Sequence, residues 1–192
     1  MIKELYFVTG NNNKFKEVQD ILSNSNLENI KLSQIKIDLP ELQGTSKEIV
    51  EEKIKLAYSK IKKPVFVEDT GLSFNGLKGM PGVYIKHFLD AIGQEGLFKL
   101  LKGFNDKTAF SFASIGYCDE KGAKVFTGEC EGSIVFPKST GQGFVTGWDA
   151  IFSPKGHEGE TFGTLPKDTK NSISHRRRAL DKFKEFLEDI PL

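Results

Sequence analysis

Hydrophobic positions along the 192-residue chain change period several times, and each change marks an element. Leu5-Tyr6-Phe7-Val8 is an unbroken apolar run, as a strand covered on both faces requires. Phe15, Val18 and Leu22 follow at helical spacing. Ile30 to Leu39 alternates as a second strand, stopped by Pro40. Ser46 then caps a helix whose stripe is Val50, Ile54, Ala57 and Ile61, with Lys53 beside it; Val65-Phe66-Val67 is another buried strand. Strand, helix, strand, helix, strand over seventy residues predicts an α/β core.

The middle of the chain has a different rhythm. Gly79-Met80-Pro81-Gly82 reads as a tight turn, and 83–92 and 95–101 read as helices. Thr108 to Tyr117 and Lys124 to Phe136 form a long antiparallel hairpin around Asp119-Glu120-Lys121-Gly122. From Pro166 the chain is helical, with Ala179, Phe183, Phe186, Leu187 and Ile190 on one face. A mixed sheet with a β-rich second lobe, all within one domain over 1–192, fits this order.

Composition narrows the class. Apolar residues at 38% and charged residues at 28% describe an ordinary globular chain. A net charge of +1 lacks the one-sided basic footprint of a protein that holds long nucleic acid. No apolar stretch approaches the roughly 20 residues of a membrane span. The chain enters a strand at once, which leaves no signal peptide. Cys118 and Cys130 lie too far apart along the predicted hairpin to pair, so both are expected as free thiols, in keeping with a cytoplasmic setting.

Three places could carry chemistry. Thr9-Gly10-Asn11-Asn12-Asn13-Lys14 joins the first strand to the first helix. A lysine in that first turn is locally wrong, because free N–H groups already make the end positive, and a bound anion would resolve the conflict. It is not a G-x-x-x-x-G-K-[ST] loop. Glu68-Asp69-Thr70-Gly71 follows the strand at 65–67, at the carboxyl end where α/β proteins place ligands, and Glu41 is a third acid after Pro40. Such hard oxygens suit Mg²⁺, while the plain alternative is a pair of turn-capping acids. Adjacent carboxylates on an extended chain point to opposite sides, so the two need not share a task. Thr146-Gly147-Trp148-Asp149, Lys170 and Ser174-His175-Arg176 form the third group. There, packing is the default reading for Trp148 and His175, and a solvated face for Arg177 and Arg178.

Taken in order, Thr-Gly-Asn-x-x-Lys, Asp38-Leu39-Pro40-Glu41, Glu68-Asp69-Thr70-Gly71-Leu72, Gly79-Met80-Pro81-Gly82-Val83-Tyr84-Ile85-Lys86, Gly147-Trp148-Asp149 and Ser174-His175-Arg176 make a pattern. From Val8 to Phe186 it resembles the inosine triphosphate pyrophosphatase family, the Ham1-like proteins, and most of all the eukaryotic branch. The resemblance implies an elongated mixed sheet with flanking helices and two lobes around a central cleft. It implies hydrolysis of ITP, dITP and XTP to monophosphate and pyrophosphate, dependence on Mg²⁺ with Mn²⁺ as a substitute, and a homodimer. Thr9, Gly10, Asn11, Asn12, Asn13, Lys14 and Lys53 would hold the triphosphate. Glu41 and Asp69 would bind the metal, Asp69 would serve catalysis with Thr70 beside it, and Thr146, Gly147, Trp148, Asp149, Lys170, His175 and Arg176 would surround the base.

Elementary chemistry qualifies those roles. A carboxylate on Mg²⁺ has its pKa lowered, so Asp69 cannot be both tight ligand and strong base; it orients a metal-activated water, and Glu68 is the candidate outer-sphere acid. A 6-keto purine accepts where adenine donates, so Arg176 or a backbone N–H there selects against ATP. Three departures from the family pattern stand out: Thr146 replaces an aromatic residue, Ala150 a proline, and His87 stands where relatives carry Trp. Trp148 or Phe144 could supply the missing stacking surface. A pyrophosphatase for other modified nucleotides and a non-catalytic nucleotide binder remain the alternatives.

Overall fold

The computed structural model describes residues 3–23, 30–140, 143–144 and 147–189. Thr146 and Ile190 lie outside the described residues, as does the side chain of Phe144. The elements are β1 (Lys3–Val8), α1 (Asn12–Ser23), β2 (Ile30–Ile35), α2 (Ser46–Ile61), β3 (Val65–Phe74), β4 (Pro81–Gly82), α3 (Ile85–Lys99), β5 (Thr108–Asp119), β6 (Gly122–Ile134), β7 (Ser139–Thr140), β8 (Gly143–Phe144), β9 (Phe152–Pro154), α4 (Lys167–Ile173) and α5 (His175–Asp189). The main sheet runs β2-β1-β3-β5-β6-β9, with β4 paired to β3. Its β1–β2 and β1–β3 pairs are parallel, and its β3–β4 and β6–β9 pairs antiparallel, so the sheet is mixed as expected.

Two compact units emerge. The first comprises Met1–Asp69, Ala113–Gly128 and Arg176–Leu192. The end of β1 and the start of β3 are buried on both faces, which is why they show no polar alternation. Leu5, Phe7 and Phe66 point to one face and meet Val18 and Ile21 of α1 and Ala179, Leu180, Phe183 and Leu187 of α5. Val8, Val65 and Val67 point to the other and meet Val50, Ile54 and Ala57 of α2. Phe7 stacks on Phe66 at 4.4 Å, and Phe183 tilts against Phe66 at 5.2 Å. Truncating Phe66 to Ala removes about 3–5 kcal/mol.

The second unit comprises Thr70–Phe112 and Glu129–His175. Leu72, Phe74, Ile85, Leu97, Leu101, Ile134, Ile151, Phe152 and Phe162 form its core. Helix α3 is broken at Gly93, whose φ of 66° and ψ of −178° are not helical; this is the boundary between the two helices read at 83–92 and 95–101. Gly71 is fixed by packing: a β-carbon there would meet the Phe112 ring at 2.0 Å.

Three local expectations need correction. Thr45, not Ser46, caps α2: its hydroxyl accepts from Glu48 N–H while the Glu48 carboxylate accepts from Thr45 N–H, a reciprocal pair that Ser46 cannot make. Strand β2 stops at Ile35 because its partner β1 stops at Val8, opposite it. Strand β3 does not end before the acids; it continues through Glu68-Asp69-Thr70-Gly71 to Phe74, where β4 supplies an antiparallel partner at Leu72 and Ser73. The acids therefore stand where β3 outruns its parallel neighbour, whose last pairing is Val8 with Val67. Both cysteines are buried free thiols.

Candidate active site

In the first unit, the turn after β1 is organised by its own side chains. Thr9 Oγ1 accepts from Asn11 N–H at 3.1 Å. Asn11 Oδ1 accepts from Asn13 N–H at 2.9 Å and Lys14 N–H at 3.2 Å, so Asn11 is the N-cap of α1. The Gln34 amide donates to Thr9 O at 3.0 Å and to Asn12 Oδ1 at 3.3 Å, tying the turn to β2. Gly10 has ordinary φ, and a β-carbon on it would meet nothing within 4 Å. Neither backbone strain nor neighbouring atoms require glycine there, whereas close approach of a ligand to the main chain would.

Strand alternation sorts the two acids. Glu68 shares the face of Phe66, toward α1 and α5; Asp69 shares the face of Val65 and Val67, toward α2. Glu68, with 1% of its side chain exposed, accepts from Arg176 Nε at 2.6 Å and Nη2 at 3.2 Å, and lies 3.5 Å from Lys14 Nζ. Arg176 Nη1 also donates to Glu17. At least three of the five guanidinium N–H groups are thus committed to carboxylates. In such a cluster each charge has an opposite partner, which offsets the cost of taking it out of water.

Asp69 occupies a different setting. Lys53 Nζ stands 3.8 Å from Asp69 Oδ1 and 3.6 Å from Glu41 Oε2, so both carboxylates converge on one cationic position. Lys53 is largely buried and Glu41 largely exposed, which leaves one acid positioned by the fold and one able to adjust. Among the described residues no three His, Cys, Asp or Glu side chains gather into a metal-holding group. Mg²⁺ asks for less, since one or two carboxylates suffice when substrate phosphates complete its octahedron, and Glu41 with Asp69 match that donor set. Thr70 comes next in β3, half-buried.

The second unit holds the other cluster. Gly147 to Ala150 form a 3₁₀ turn whose first residue has φ of 73°. Lys170 Nζ donates to Asp149 Oδ2 at 2.6 Å. Trp148 packs against the His175 ring at 5.4 Å and crosses Phe152 edge-on, while Phe162 lies 5.7 Å from His175. His175 is buried at the first position of α5, and Ser174 before it is extended, which separates α4 from α5. His87 is exposed on α3.

The structure thus brings Lys14, Glu68 and Arg176 together on one face, Lys53, Glu41 and Asp69 on the other, and Trp148, Asp149, Lys170 and His175 in the second unit. Sequence reasoning missed Glu17 and Gln94. Glu17 falls one helical turn after Lys14, a spacing that could have flagged it. Gln94 donates to the Gly147 carbonyl at 2.7 Å across 53 residues, and no local pattern signals that.

Known proteins match this chain over nearly its full length. The model of the Ham1 family matches residues 5–186. An inosine triphosphate pyrophosphatase from Yarrowia lipolytica is 47% identical over 185 residues, covering 95% of each chain. One from Batrachochytrium dendrobatidis is 45% identical over 188 residues, covering 97% of this chain and 95% of its own. Among solved structures, the Staphylococcus aureus Ham1 protein superposes with a TM-score of 0.79 at 28% identity, covering 97% of this chain and 98% of its own. A HAM1 protein from Coxiella burnetii gives 0.82 at 25% identity, covering 98% and 100%.

Proposed function

The chain belongs to the Ham1 family, and from that premise we propose that it is a nucleoside triphosphate pyrophosphatase, hydrolysing deaminated purine nucleotides such as ITP, dITP and XTP to the monophosphate and pyrophosphate. The observation that carries this reading is the convergence of Asp69 and Glu41 on the Lys53 ammonium, two hard acids and an amine on one face of a strand.

The work divides by chemistry. A triphosphate brings about four negative charges, which Lys14, Lys53 and the backbone of the Thr9–Lys14 turn would offset. Glu41 and Asp69 would hold Mg²⁺, or Mn²⁺ in its place. The metal when bound supplies Lewis acidity and lowers the pKa of its water. Asp69 orients the attacking water rather than serving as a strong base. Glu68, tied to Arg176 and Lys14, holds Lys14 toward the phosphates and keeps its negative charge among cations.

At the base, Asp149 and Lys170 offer an acceptor and a donor in one fixed pair, which suits the alternating groups on a keto-purine edge. Adenine would set a donor against a donor. Trp148 and His175, already packed together, give that edge a rigid aromatic support. A homodimer acting in the cytoplasm completes the proposal; among the described residues no helix is long and apolar enough to cross a membrane.

The test is a substrate panel: pyrophosphate release from ITP, dITP and XTP against ATP and GTP, with Mg²⁺ and with EDTA. Release from the deaminated set alone, and only with the metal, supports the reading. Equal turnover of ATP sinks the selectivity, and orthophosphate as the first product sinks the reaction.

A further inference from the structure

We propose that Gln94 is a positioning residue for base selection, acting by donating its side-chain amide to the Gly147 carbonyl and so setting where Trp148 and Asp149 stand. This rests on the reading of the Gly147–Asp149 turn as part of the base site.

The turn is held unequally at its two ends. Its later residues are fixed by main chain: Ile151 N–H donates to Trp148 O at 3.1 Å, Gly163 N–H to Asp149 O at 3.0 Å, and Lys138 N–H to Ala150 O at 3.0 Å. No side-chain substitution removes those bonds directly. The first residue is different. Gly147 sits at φ of 73°, a region glycine enters and leaves at little cost, and its carbonyl, besides its place within the 3₁₀ turn, is tied to the rest of the unit by a side chain of α3. The Nε2–O distance of 2.7 Å is at the short end for an N–H···O bond. The orientation of the amide is fixed by chemistry, since a carbonyl only accepts and the NH₂ group must face it.

Gln94 owes its place to the break in α3. Gly93, at φ of 66° and ψ of −178°, ends one helical segment, and Gln94 opens the next. The two residues after Gly147 are those the base would meet: Trp148 leaning on His175, then Asp149 bound to Lys170 at 2.6 Å. A turn released at its first residue can tilt about the Asp149 and Ala150 carbonyls, which stay pinned, so that Trp148, nearer the freed end, shifts against Asp149. Gln94 itself need not touch the nucleotide.

The chain has a single tryptophan, Trp148, so its fluorescence reports on this turn alone. Three variants make the test. Gln94→Glu keeps the shape but has no donor when ionised, Gln94→Ala removes the group, and Gln94→Lys restores a donor of similar reach. Emission of the free protein is recorded first, then KM and kcat for ITP. The expected result is a shifted or requenched emission in Gln94→Glu and Gln94→Ala, with KM raised roughly three- to tenfold and kcat nearly unchanged. Gln94→Lys returns toward wild type in both. Wild-type emission in Gln94→Glu overturns the contact, and a shifted emission with unchanged KM overturns its link to base selection. A fall in kcat and melting temperature together, without rescue by lysine, overturns positioning in favour of a general structural role. Failure of the base-site reading looks different: the wild-type protein itself would not distinguish ITP from ATP, whatever the emission of the variants.

Discussion

Glu68 and Asp69 are bonded neighbours that face opposite sides of one sheet. Glu68 accepts from Arg176 at 2.6 Å beside Lys14, whereas Asp69 shares Lys53 with Glu41. One peptide step therefore separates a buried ion cluster from the proposed metal site, and the two acids should fail differently when neutralised. Asp69→Asn is expected to lose at least about 100-fold in kcat while ITP still binds and the urea midpoint holds. Glu68→Gln takes the carboxylate from Lys14 and one of two carboxylates from Arg176, which keeps Glu17, and is expected to cost about 3 kcal/mol of stability. Paired urea titrations and pyrophosphate assays check this, and equal loss of stability in both variants would contradict the sorting.

Lys53 occupies the position on which both carboxylates converge. Lys53→Met should move two constants in opposite directions. KM for ITP rises roughly tenfold or more as a charge-assisted contact to phosphate is lost. The Mg²⁺ concentration for half-activation falls, because no ammonium competes for the acids. Steady-state rates over a grid of ITP and Mg²⁺ separate the two; weaker metal activation would refute the shared position.

Gly10 meets no neighbour that forbids a side chain. Gly10→Ala is expected to leave the melting temperature unchanged or slightly raised, by analogy with other strain-free replacements. ITP affinity should nonetheless fall, because the methyl group stands where a phosphate would approach the backbone. A calorimetric titration with a non-hydrolysable analogue measures it, and undiminished affinity would remove Gly10 from the site.

Burial, with Asp119 accepting from its hydroxyl at 3.0 Å, raises the Tyr117 pKa well above 10.0. The native state therefore retains a proton that the unfolded chain releases near pH 10, so the contribution is complete below that pH and is lost above it. Cys118, also raised by burial, adds to the same alkaline loss from about pH 9. Urea midpoints measured from about pH 8 to about pH 11 should fall on the alkaline side, and fall less steeply in Tyr117→Phe. Identical slopes in the two proteins would rule out Tyr117 as a source.

Much of the fold was legible because it is written locally. The β1 turn, its helix, the α2 stripe and the break near Gly93 come from periodicity and glycine placement over short windows. The length of β3 was not legible, since Glu-Asp-Thr-Gly reads as a turn until β4 supplies a partner for Leu72 and Ser73. Thr45 against Ser46 was decided by where the Glu48 carboxylate turns back. At the site, the residue types were readable but their pairing was not: Glu17 reaches Arg176 across 159 positions and Gln94 reaches Gly147 across 53. Contacts that distant leave no periodic trace.

The Phe112 ring occupies the volume where a side chain at position 71 would begin. In a saturation library scored for growth or turnover, that glycine should be as invariant as the acids two and three positions before it. Its constancy would record steric exclusion and carry no information about catalysis. Pairing every substitution at 71 with Phe112→Ala separates the two meanings, since a shared volume can be vacated from either side while a catalytic demand cannot.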